Sequence, residues 1–80
     1  MTTEELHELL SQIIPNGQIM ADGDGYHFTA TLVADVFAGL SKVKRQQLIY
    51  QELSSYITSG AIHALTLSTY TPEEWKQHHG

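Results

Sequence analysis

The chain has 80 residues, no cysteine and a formal net charge of −5, and 41% of its residues are hydrophobic. That length predicts one small domain over residues 1–80 with one compact core, and the missing cysteines exclude disulfides, thiol nucleophiles and any zinc or iron–sulfur centre held by thiolates of this chain. The acidic balance argues against generic coating of nucleic acid, no apolar run approaches a membrane span, and the polar start "MTTEELHELL" is unlike a secretory signal, so a soluble cytoplasmic protein is expected.

In chain order, "TTEELHELLSQIIPNG" predicts a helix. Thr2 and Glu5 fit a capping box, Leu6, Leu9, Leu10 and Ile13 recur at helical spacing, and Pro15, Asn16 and Gly17 end it. "QIMADGDGYHFTATLVAD" predicts a hairpin, with Gln18–Ala21 as a short strand and Asp22-Gly23-Asp24-Gly25 as a turn whose two glycines are free to take positive φ. His27–Ala34 is the second strand, with Phe28 and Leu32 on one face and His27, Thr29 and Thr31 on the other. "FAGLSKVKRQQLIYQELSSYITSG" is helical in two consecutive pieces, with Ser41 as N-cap, Ile49, Leu53, Tyr56 and Ile57 as apolar stripe, and Gly60 as stop. Ile62–Thr69 is the third strand, and Thr71 caps a last helix with Pro72 at its first position. The order α-β-β-α-α-β-α, with a right-handed helical crossover making strands two and three parallel, predicts an α+β fold in which helices cover a small three-stranded mixed sheet.

Seven positions stand out for chemistry. His63 opens an otherwise apolar alternating run, on the face of Leu65 and Leu67; it is either a core-edge histidine or a metal ligand in need of partners. His27 and Asp24, at and beside the hairpin turn, are candidate partners if the turn approaches His63, or else a solvent-facing strand residue and a turn-former. Three of the four Lys and Arg residues fall at Lys42, Lys44 and Arg45, in the first turn of a helix, where positive charge opposes the helix dipole. An anionic partner such as nucleic acid would explain that cluster, and so would a solvated face. Trp75 either closes the core or marks a docking surface. No paired-carboxylate, nucleophile, P-loop or zinc-protease motif is present, so an enzyme is not expected.

"DVFAGLSKVKRQQLIYQEL" together with "IHALTLSTYTPEEW" resembles the BolA family, and "GDGYHF" and "SKVKRQQ" are closest to its IbaG branch; the likeness runs from Leu6 to Trp75. The resemblance implies an α-β-β-α-α-β-α fold akin to a class II KH domain. It implies pairing with a cytosolic monothiol glutaredoxin around a bridging [2Fe-2S] cluster, absent from the isolated chain, in an adaptor of iron–sulfur handling and iron regulation. The histidine of the family's H-A-L segment falls on His63, which would be a cluster ligand. A second ligand comes from the hairpin loop, Cys or His in many members, at a position near Asp24; on ligand chemistry His27 is favoured over Asp24. The family also includes a DNA-binding regulator of stress responses that uses the region matching residues 37–57, which makes Lys42, Lys44 and Arg45 the alternative site. Here Gln46 replaces a histidine of that basic run, and the GxxG loop of RNA-binding KH domains is missing.

Overall fold

The computed structural model describes residues 1–79. Helix α1 (Thr3–Ile13) begins at a complete capping box: the Thr2 hydroxyl accepts from the Glu5 amide at 3.1 Å, and the Glu5 carboxylate accepts from the Thr2 amide at 2.9 Å. It buries Leu6 and Leu10, with Ile14 buried at its C-cap. Strands β1 (Gln18–Gly23) and β2 (His27–Val33) pair antiparallel, and β3 (Ala64–Tyr70) pairs parallel to β2, giving the order β1-β2-β3. A single 3-10 turn (Asp35–Phe37) leads to α2 (Lys42–Glu52) and the short α3 (Ser54–Thr58), and α4 (Pro72–His79) follows β3. This is the three-stranded mixed sheet with helices that the chain order predicts.

The period-two pattern of β2 places Phe28, Ala30 and Leu32 in the core and leaves His27 and Thr29 exposed. Against that inner face pack Leu6 and Leu10 from α1, Ile49 from α2, and Phe37, Leu53, Ile62 and Leu67. Ile57, expected in the apolar stripe, is 38% exposed, because the stripe breaks where α2 gives way to α3 at Leu53.

As an edge strand, β3 would present a row of open carbonyls. Helix α2 covers them. Lys42 Nζ donates to the Thr69 carbonyl at 3.0 Å, Gln46 Nε2 to that of Leu67 at 2.9 Å, and the Tyr50 hydroxyl to that of Leu65 at 2.6 Å. The spacings fit: four helical residues rise about 6.0 Å, and two strand residues span about 6.6 Å. Gln46 is therefore one rung of a ladder that locks α2 onto the sheet.

Four expected strand ends move, and two of them are one-residue shifts: β2 closes at Val33 rather than Ala34, and β3 at Tyr70 rather than Thr69. Asp22 and Gly23 belong to β1, opposite Thr29 and Phe28, so the turn proper is Asp24-Gly25-Tyr26. Of the two turn glycines only Gly25 has positive φ, at +93°. Gly23 serves another need, since a Cβ there would meet Phe28 Cδ1 at 2.6 Å and the His27 carbonyl at 2.7 Å. Strand β3 starts at Ala64 rather than Ile62, because Ile62 is drawn into the core and its amide is taken by the Tyr56 carbonyl at 3.1 Å. Trp75 does not close the core: it is half-buried, with its ring 5.1 Å from Tyr70 and 5.7 Å from His78.

Candidate functional site

The hairpin turn is built around one carboxylate oxygen. Asp24 Oδ1 accepts from the amides of His27 at 2.8 Å and Tyr26 at 2.9 Å, and the Asp24 amide donates to the His27 carbonyl at 3.3 Å. Those two amides, that of His27 first, hold the Asp24 carboxyl below the usual carboxylate range. The Tyr26 carbonyl in turn accepts from the Ala64 amide at 3.2 Å, which ties the turn to the start of β3.

This arrangement brings the turn to His63. The register pairs His27 with Ala64, so the residues just before them, Tyr26 and His63, face each other across the strand ends. Their rings stack, with centroids 4.6 Å apart and planes inclined by 18°. His63 is exposed, contrary to the core-side placement expected from parity with Leu65 and Leu67. Parity fails because the strand has not yet begun: Ile62 takes the core position, and His63 bridges from it to Ala64. His27 is exposed, as expected from its alternation with the buried Phe28.

Among the described residues, no three His, Asp or Glu side chains converge in a way that could hold a metal ion. The donor set fits a metal only as a contributor. An exposed imidazole suits iron, whereas the Asp24 carboxylate is harder and already accepts two amides through one oxygen. The residues here suited to hold a metal are the imidazoles of His63 and of His27 beside the turn, and among the described residues they do not complete a coordination sphere by themselves.

The basic cluster divides. Arg45 is 5% exposed and is not open to a phosphate. Its guanidinium forms a bidentate pair with Glu74 at 2.7 and 3.2 Å, while Nε donates to the Leu40 carbonyl at 3.0 Å. Glu74 also closes a capping box on α4, accepting from the Thr71 amide at 2.9 Å. Together, Arg45 first and then Thr71, these donors pull the Glu74 carboxyl down to about 2. Lys42, besides its bond to Thr69, lies over the Tyr70 ring at 4.7 Å. Lys44 is exposed. Cation placement against the α2 dipole is thus offset by docking of α4 and β3. The pattern that would have revealed Arg45 is its place four residues before Ile49 and eight before Leu53, on the buried stripe. For Glu74 it is the T-x-x-E spacing from Thr71. Tyr26, the ring that touches His63, was legible only through the strand register.

Comparison with known proteins gives the family and agrees with the overall fold. A Haemophilus influenzae protein is 40% identical over 77 residues, covering 96% of this chain and 91% of its own. The acid stress protein IbaG of Escherichia coli K12 is 37% identical over 75 residues, covering 94% and 89%. The structure of a BolA homologue from Coxiella burnetii superposes with a TM-score of 0.84 at 35% identity, covering 95% of this chain and 97% of that one. The family model described as BolA-like protein matches residues 6–74, and the chain belongs to the BolA family.

Proposed function

We propose that the chain is an adaptor in iron–sulfur cluster handling and iron regulation, sharing a bridging [2Fe-2S] cluster with a monothiol glutaredoxin and its glutathione. The observation that carries this reading is the exposed His63 imidazole at the tied end of the β2–β3 pair, in a chain with no thiolate of its own. His63 is the first ligand in this reading and His27 the favoured second; Asp24 shapes the turn. The chain acts by binding and has no catalytic step.

Such a cluster would supply electron-transfer chemistry and a transferable iron–sulfur unit, and imidazole in place of thiolate raises its potential by removing negative charge. His63 must be neutral to ligate, so protonation competes with binding. That competition gives acid a direct route to the complex, in keeping with the name borne by the Escherichia coli relative. The alternative, a nucleic-acid-binding regulator with Lys42, Lys44 and Arg45 on phosphates, draws little support from a guanidinium buried against Glu74 and a Lys42 ammonium bound to Thr69. The test is anaerobic mixing with a cluster-loaded monothiol glutaredoxin, read by visible absorption and circular dichroism. A new cluster spectrum in a one-to-one complex supports the reading, and an unchanged glutaredoxin spectrum contradicts it.

A further inference from the structure

Tyr26 is 64% exposed, so core packing does not account for where its ring lies. Its backbone accounts for it. The Tyr26 amide is held by Asp24 Oδ1, and its carbonyl accepts from the amide of Ala64, the residue after His63. Pinned on both sides of its own Cα, Tyr26 lays its ring on the His63 imidazole, nearly parallel.

The stacking direction matters. A metal binds imidazole through a nitrogen lone pair in the ring plane. A ring stacked on one face leaves the nitrogen edges clear and restricts rotation about the side-chain bonds. An exposed histidine without such a neighbour samples several rotamers and loses that freedom when it ligates.

We infer that Tyr26 is a positioning residue for His63: its ring orders the imidazole before a metal arrives, and Asp24 acts on the site through Tyr26 rather than as a ligand. This rests on the reading of His63 as a ligand of a shared cluster. Two routes separate here. If Asp24 works by holding the turn, then Asp24→Asn, which keeps an acceptor oxygen, is mild. Asp24→Ala then weakens the site as Tyr26→Ala does, and the double variant is no worse than either single one. A ligand Asp24 would instead add its loss to that of Tyr26.

The first measurement uses the free chain. Nuclear magnetic resonance should find the His63 ring protons shifted by the Tyr26 ring current, with direct ring-to-ring contacts; the shift should vanish in Tyr26→Ala and persist in Tyr26→Phe. The second uses the complex with cluster-loaded monothiol glutaredoxin and glutathione. Tyr26→Ala should keep the shape of the visible dichroism and weaken the complex about three- to tenfold, the scale of ordering one side chain, while Tyr26→Phe stays within about twofold of the parent chain. A Tyr26→Ala complex as tight as the parent, or His63 ring protons indifferent to Tyr26, overturns the inference alone. So do additive losses in the Asp24→Ala, Tyr26→Ala double variant. A parent chain that forms no mixed complex overturns the reading of His63 itself, and the inference with it.

Discussion

Arg45→Met tests whether the basic cluster is structural. Methionine keeps a long apolar stem and removes the guanidinium. The Leu40 carbonyl loses its side-chain donor, whereas the Thr69 carbonyl keeps Lys42. An acceptor left without its partner in this part-buried position, together with the loss of the guanidinium's other bonds, costs on the order of 1–3 kcal/mol. The larger penalty for breaking a buried pair, about 3–5 kcal/mol, does not apply in full, because the Glu74 side chain is 40% exposed and rehydrates. The expected loss is about 2 kcal/mol, a large share of the stability of a small domain. In urea, with a slope of about 1 kcal/mol per M, the midpoint should fall by about 2 M. The melting temperature should fall by about 8–16 °C. An unchanged midpoint and slope would refute the reasoning, and would return Arg45 to the pool of cations free to meet phosphate.

The Glu74 carboxyl, at about 2 against an ordinary 4.5, binds fewer protons folded than unfolded between those values, so stability rises with pH there. Its contribution is complete above about pH 4.5 and fades as pH falls toward 2; the stability gap between the parent and Glu74→Gln should close over the same window, which pH-stepped thermal melts will show. Gly23→Ala drives a Cβ into the Phe28 ring and the His27 carbonyl, and should cost about 1–3 kcal/mol in urea unfolding although φ at Gly23 is not positive. Any DNA binding should rest mainly on Lys44, so that the slope of log affinity against log salt is near −1 and Lys44→Glu removes it; a slope of several units would place a phosphate-binding surface elsewhere on the chain.

The fold was legible wherever local signals and burial agree. The Thr2–Glu5 box, the alternation from His27 to Leu32 and the Ser41 cap all follow from spacing alone. The parallel pairing of β2 and β3 follows from the helices between them. What spacing did not reveal lies at element ends and across elements. His63 was misplaced because a strand's parity was extended past its start, where burial of Ile62 decides the backbone path. Arg45 read as a surface cation because its charge is conspicuous and its partner, Glu74, lies 29 residues away. The two-glycine turn looked symmetrical in sequence, yet one glycine serves φ and the other serves the approach of Phe28. At the candidate site, Asp24, His27 and His63 could be chosen from residue type, while Tyr26 required the register of two strands distant in sequence.

The central claim is that His63 is this chain's ligand to a cluster shared with a monothiol glutaredoxin, and His63→Ala in the mixed complex tests it most directly. His63 is exposed, and its ring stacks on that of Tyr26, which is also exposed, so the variant should keep its far-ultraviolet dichroism and cooperative unfolding. Visible circular dichroism, recorded anaerobically on the variant mixed with cluster-loaded glutaredoxin, should then lose the signal of the mixed complex and retain that of glutaredoxin alone. A folded His63→Ala chain that still yields the parent's mixed-cluster spectrum would contradict the account.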